Sequence, residues 1–307
     1  MAPIRLSLLG AGRWGKRYID TIAQTNGVRL VAVASRNAQT AQLVPPDCAI
    51  CSDWRDAVSG PGIDAVIVAT PPSLHEEMTQ AAIAARRPVL VEKPFTLSVA
   101  AADGLIAAAE RAGVLVMVGH THLFNGGFRE LQRQAQAIAP LKRIEAAAGN
   151  WGPFRADVSP LWDWAPHDLS MCLALAGETP ERAFICATAE DRIDGGLAGN
   201  YLIDLEFHGG LSATFQLGNM MQTKQRVIEV GGVGGALQFD DIAARLMLRR
   251  DSGETTLSYP AEKPLATLVR EFGERVAAGV TSDPSLKIGR DVVALLAACD
   301  AQLNASR

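Results

Sequence analysis

At 307 residues the chain exceeds what one ordinary hydrophobic core accommodates, and its length predicts two domains. Hydrophobic residues at 48%, charged residues at 20% and a net charge of −4 describe a globular protein with no basic field to draw in nucleic acid or an anionic membrane. Five scattered cysteines fit a reducing compartment better than a disulfide framework, and the lone CxxC of Cys48 and Cys51 lacks the second ligand pair a zinc site needs.

The N-terminus, MAPIRLSLLGAG, is apolar over only a few residues before it meets glycines, so it reads as a strand and not as a signal peptide. No segment approaches the roughly 18 apolar residues of a membrane span. The expected location is the cytoplasm, with no membrane partner.

Strands are predicted at Ile4–Leu9, Val28–Ser35, Asp64–Thr70, Pro88–Glu92 and Val114–Gly119, with alanine-rich amphipathic helices between them, among them Leu74–Ala85 and Val99–Arg111. Strand–helix alternation of continuous apolar runs predicts a doubly wound parallel sheet buried on both faces. Helices are next expected near Phe128–Ile138 and Trp164–Leu175. Extended runs then follow at Arg182–Glu190, Tyr201–Phe207, Leu211–Leu217, Arg226–Gly231 and Ala236–Phe239, the pattern of a large, mostly antiparallel open sheet. Two helices, near Ala261–Ala278 and Leu286–Asn304, close the chain. The fold class is therefore α/β in two parts, with the boundary placed at residues 122/123.

LSLLGAGRWGK carries G-x-G-x-x-G at Gly10, Gly12 and Gly15, directly after a strand and opening a helix. That context turns a weak motif into a dinucleotide fingerprint. Gly10 permits the tight turn, Gly12 lets a pyrophosphate approach the backbone, and Gly15 lets helix and strand pack closely. The amides of Arg13 and Trp14 would then face the phosphates from a helix N-terminus. An NAD site usually offers an acid at the end of the second strand, but this one ends VAVASRN. Ser35 and Arg36 present a hydroxyl and a guanidinium suited to a 2′-phosphate. The expected cofactor is NADP, with NAD the alternative.

DWAPHD, Asp163 to Asp168, places a carboxylate and an imidazole four residues apart. Pro166 is tolerated only in a first helical turn, so a helix is predicted to start near Asp163, with Asp163 as N-cap. Residues i and i+4 share a face, which points Asp163 and His167 the same way. As a metal site the stretch supplies too few ligands, and no metal is expected. The residues themselves leave open a structural cap with a core histidine, or a proton relay.

VEKPFTLS (Val91–Ser98), ATPPSLH (Ala69–His75) and VGHTHLFN (Val118–Asn125), taken with the N-terminal fingerprint, resemble the Gfo/Idh/MocA family, named for glucose–fructose oxidoreductase and inositol 2-dehydrogenase. The resemblance continues through PLATLVREFGERVAAG to the closing helix, and E-K-P with a downstream D-x-x-x-H is its specific part. It implies a Rossmann domain over residues 1–122, then an α/β domain for substrate binding and oligomerisation over 123–307. It implies that Thr70, Pro71, His75, Glu92 and Lys93 join the glycine motif at the cofactor. Lys93 would lie beside the nicotinamide and the substrate hydroxyl, with Asp163 and His167 as its catalytic partners. Two positions depart from the family: Ala165 replaces the usual glycine between Asp163 and His167, and Gly126 replaces a common proline. Neither removes a reactive group.

Together these features favour the relay. His167 would accept the hydroxyl proton, Lys93 donate to the developing alkoxide, and Asp163 hydrogen-bond the substrate hydroxyl or orient the relay, on a sugar, nucleotide sugar or cyclitol. Trp162 is the candidate to stack on a sugar ring, Arg155 to hold a phosphate or carboxylate of the substrate, and His120 to line the cleft. Against these stand a core indole, a solvated loop arginine and a satisfied structural histidine. Rival functions are an NAD-dependent glycoside hydrolase using transient internal redox, and a non-enzymatic dinucleotide-binding regulator. Alternating apolar residues in LSATFQLGNM and YLIDLEF predict a sheet face that pairs with another copy, giving a homodimer or homotetramer.

Overall fold

The computed structural model describes residues 2–306. The first part of the chain forms β1 (Ile4–Leu9), α1 (Arg13–Gln24), β2 (Val28–Ala34), β3 (Ala49–Cys51), α2 (Asp56–Ser59), β4 (Ala65–Val68), α3 (His75–Ala84), β5 (Val89–Glu92), α4 (Val99–Ala112) and β6 (Val116–Gly119). Then come α5 (Gly126–Ala135), β7 (Leu141–Trp151), α6 (Pro160–Ala176), β8 (Arg182–Ile193), β9 (Gly196–Glu206), β10 (Ser212–Gly218) and β11 (Met220–Gly232). The chain ends with β12 (Gly235–Asp240), β13 (Arg245–Arg250), β14 (Gly253–Leu257), α7 (Pro264–Ala277) and α8 (Pro284–Ala305).

The first sheet is parallel throughout, in the order β3-β2-β1-β4-β5-β6. The strand order reverses beside β1, where doubly wound sheets open a crevice at their carboxyl ends. Strands β4, β5 and β6 are buried at every residue, as helices on both faces require. The second sheet runs β14-β13-β12-β11-β7-β10-β9-β8, antiparallel except for β7 beside β10.

Four strands escaped the sequence reading. β3 is three residues long, β13 is a six-residue strand whose apolar part is only Leu246–Leu248, and β14 is a short polar strand at the sheet edge. β7, LKRIEAAAGNW, is rich in helix-forming alanine, and pairing with both β10 and β11 overrides that propensity.

The expected division into 1–122 and 123–307 needs correction. The chain forms two compact units, but the first takes residues up to Thr121 together with Lys263–Val293, and the second takes His122–Glu262 with the residues from Ala294 onward. Packing explains the return. α7 buries Leu268, Val269 and Phe272 and contacts α1 and β1. A Cβ on its Gly273 would lie 2.5 Å from Val28. Ser285 at the start of α8 accepts a hydrogen bond from the Val118 amide at 3.0 Å.

In the second unit, α6 packs on β7, β9 and β10, and α5 on β12 and β13. The opposite face of the sheet carries charge: Arg143 and Arg249 both pair with Glu229, and Thr214 donates to Asp204 at 2.6 Å. Phe184 stands on that face 48% exposed.

Candidate functional site

In the first unit, β1 ends into the glycine turn, and α1 starts at Arg13 with Gly12 as its N-cap and no side-chain cap. The first amides of α1 therefore have no competitor from the protein's own side chains, the arrangement that receives an anion. Gly10 has φ +98°, and a Cβ there would lie 2.8 Å from the Ala69 carbonyl oxygen. A Cβ on Gly15 would collide with the Gly10 carbonyl. A Cβ on Gly12 would meet no protein atom within 4 Å. The fold thus demands glycine at 10 and 15 for its own packing, whereas the space over Gly12 is what a pyrophosphate uses, so the cradle fits a dinucleotide. At the end of β2, the Ser35 hydroxyl lies 2.7 Å from that of Thr40, and Arg36 is exposed with no carboxylate paired to it among the described residues.

Lys93 follows β5 and is half-buried. Its neighbour Glu92 is 4% exposed; Tyr18 donates to it at 2.6 Å, and burial pushes its carboxyl up from the ordinary value. Glu92 is thus tied to α1. His75 is fully buried, its ring nitrogens 2.8 Å from the Pro94 carbonyl and 3.0 Å from that of Thr70, so it staples the loops after β4 and β5. Burial above all lowers its pKa, and the charge of Lys93 adds to that. Pro71 is exposed and Thr70 half-buried at the same loop. His120 is fully buried, and burial, helped by Lys93, pushes its pKa down to about 3. It stays neutral, and neither of its ring nitrogens has a hydrogen-bond partner among the described residues.

In the second unit, α6 starts one turn earlier than its sequence suggests. Ser159 is the N-cap, its hydroxyl accepting from the Trp162 amide at 3.4 Å, and Pro160 takes the first helical position. Asp163 is therefore not the cap but sits in the first turn, where its charge suits the helix dipole. Pro166 lies inside the helix and removes the amide that would bond the Trp162 carbonyl, a defect worth about 3 kcal/mol in an isolated helix. Buried Leu161, Leu169 and Leu173 offset it, each contributing roughly 1.5–3 kcal/mol.

Asp163 and His167 are both half-buried on this helix. Arg155, in the loop before α6, donates twice to Asp157, at 3.0 and 2.7 Å, and once to Asp163 at 3.5 Å. The His122 ring meets that of His167 with centroids 4.6 Å apart and planes at 85°. Trp162 is 8% exposed, and its indole donates to Asp300 at 2.7 Å, so it braces α6 against α8 and presents no open face for stacking. Gly126 has its own packing reason: a Cβ there would collide with the Pro260 carbonyl.

Two further residues stand out beside α6, Asp168 of the same DWAPHD stretch and Arg226 of β11, the second of which the sequence marks only as the start of a strand. Asp168 is 2% exposed, and burial pushes its carboxyl up to about 6 against the opposing charge of Arg226. Arg226 lies 5.7 Å over the Trp164 ring. The spacing of Trp164 and Asp168 on one helix face was the available signal. Among the described residues no group of three His, Cys, Asp or Glu could hold a metal ion, and no helix is long and apolar enough to cross a membrane.

Residues 4–120 match the model of an oxidoreductase family with an NAD-binding Rossmann fold. Inositol 2-dehydrogenase of Mycolicibacterium smegmatis is 31% identical over 43% of this chain and 40% of its own length. UDP-N-acetylglucosamine 3-dehydrogenase of Acidithiobacillus ferrooxidans is 30% identical over 63% and 62%. The matches thus span less than two thirds of these relatives. A solved protein of Magnetospirillum magnetotacticum MS-1, provisionally named an oxidoreductase, is 43% identical over 97% of this chain and 100% of that one, with a TM-score of 0.90.

Proposed function

The chain belongs to the Gfo/Idh/MocA family of oxidoreductases, and from that premise we propose that it transfers hydride between NADP(H) and a secondary hydroxyl or ketone of a sugar, nucleotide sugar or cyclitol. One observation carries the reading. A chain with an uncapped glycine cradle also presents a carboxylate and an imidazole on one face of a helix start. The cradle residues Gly10, Gly12 and Gly15 and the first amides of α1 would hold the pyrophosphate, and Ser35 with Arg36 the 2′-phosphate. The nicotinamide, when bound, supplies the hydride chemistry.

His167 takes the proton from the substrate hydroxyl as general base, the role for which imidazole is the commonest side chain. Lys93 stabilises the charge developing on the hydroxyl oxygen. Asp163, steadied by Arg155, orients the hydroxyl. Because Arg155 is already spent on two carboxylates, we assign it to orienting Asp163 and not to an anionic group of the substrate. We further propose a cytoplasmic homo-oligomer that uses the open sheet face around Phe184; a monomer by light scattering at micromolar concentration would remove that part.

The test is fluorescence titration of the purified protein with NADPH and NADH, followed by turnover assays with myo-inositol, glucose, UDP-N-acetylglucosamine and 1,5-anhydro-D-fructose. Tighter binding of NADPH and turnover on a member of this panel are expected. A clear NADH preference overturns the assignment of Ser35 and Arg36. Copurified, non-exchanging NAD with cleavage of a nitrophenyl glycoside moves the reaction to internal redox.

A further inference from the structure

His122 touches more than His167. It also lines a small, partly enclosed cavity whose other polar walls are Asn125, Asp168, Arg226 and Asp241. Two of these are already spoken for: Asn125 donates to Asp241 at 2.7 Å and caps α5 through the Gly127 amide at 2.8 Å. Asp168 and Arg226 differ. Oδ2 of Asp168 and Nη1 of Arg226 are buried without a hydrogen-bond partner. A carboxylate oxygen and a guanidinium N–H facing one cavity cannot both stay unmet cheaply. The space has room for about one water molecule, which can donate to the first and accept from the second.

We infer that His122 is a positioning residue for His167: its ring fixes the tilt of the catalytic imidazole, and Asp168 and Arg226, through one buried water, fix His122. The geometry is self-consistent. Asp168 sits next to His167 on α6, so both ends of the chain of contacts hang on one helix. An edge-to-face ring pair resists rotation of either ring, and a side chain held within a few tenths of an ångström is what proton transfer needs.

The inference rests on the reading of His167 as general base, and the experiment separates the two. Single-turnover rates are measured for wild type, His167→Asn, His122→Ala, Asp168→Ala and the His122→Ala/Asp168→Ala double variant, on the panel compound with the highest turnover. NADPH affinity and melting temperature are recorded for each. His122→Ala is expected to lower the rate roughly 10- to 100-fold with NADPH affinity unchanged. Asp168→Ala is expected to lower it several-fold in wild type and not at all in the His122→Ala background, because both act through one network. Equal factors in both backgrounds, or a wild-type rate in His122→Ala, overturn the inference while leaving His167 in place. A wild-type rate in His167→Asn overturns the catalytic reading itself. A high-resolution crystal structure of the wild type gives an answer that no variant's folding can obscure. An ordered water bonded to Asp168 and Arg226 is expected, and a dry cavity or a direct Asp168–Arg226 pair contradicts the anchor.

Discussion

The glycine cradle of the first unit and the start of α6 in the second hold their functional groups by opposite means. In the cradle the groups offered to a ligand are backbone amides, aimed by a strand end and by Gly10 and Gly15, which no side chain could replace. At α6 the groups are side chains held by other side chains: Asp163 by Arg155, His167 by His122. A backbone device depends on a few positions and survives change elsewhere. A side-chain device draws on α6, the loop before it, the turn at residues 121–124 and β11, and a change in any of them re-aims it. Cofactor binding should therefore be robust, and substrate choice easy to alter.

The largest effect belongs to the reacting groups. Lys93→Ala should lower kcat by about 10²–10⁴-fold while NADPH still binds within a few-fold of wild type, read by kinetics and titration on one preparation. Two glycines of the cradle should then part company. Gly15→Ala forces a methyl against the Gly10 carbonyl and should cost about 2–4 kcal/mol in denaturant unfolding. Gly12→Ala should keep the melting temperature and weaken NADPH roughly 10- to 100-fold. If both variants lose stability alike, the space over Gly12 is not reserved for a ligand.

A smaller effect belongs to Asp168. Burial raises its folded pKa from 3.8 to about 6, so between those values the folded state binds a proton that the unfolded chain has released. Stability should therefore fall as pH rises from about 4 to about 6 and then level off. Asp168→Asn lacks that titration and should lose this part of the slope, gaining on the order of 1–3 kcal/mol over wild type at neutral pH. Unfolding curves at several pH values read it, and an unchanged slope contradicts the burial argument. Smallest of all, Trp162→Phe removes the hydrogen bond to Asp300 and should cost about 1–2 kcal/mol of stability with kcat nearly unchanged. A large loss of kcat without loss of stability would return Trp162 to the substrate.

The same contrast explains what could be read in the amino acids. The cradle was legible because its parts are local: an apolar run, three glycines and a helix within 15 residues. So were most strands of the second sheet, since β8 to β12 alternate or run apolar. Pro166 carries the local signal of a first-turn proline, but Ser159 and Pro160 make a stronger start one turn earlier and the helix runs through Pro166. Trp162, His75 and His120 drew attention as polar or aromatic residues near motifs, but their partners Asp300, Pro94 and the buried core lie far off in sequence or leave no local trace. The return of α7 and the first turns of α8 to the first unit is a matter of tertiary packing, invisible to a linear search for a boundary.

The most direct test of the account is single-turnover hydride transfer by His167→Asn beside wild type, with NADPH affinity measured on the same samples. If His167 is the general base, NADPH binding is unchanged and the rate falls by about 10²–10⁴-fold. A variant that binds NADPH and transfers hydride at the wild-type rate would show that His167 carries no proton and that the α6 start is only a support.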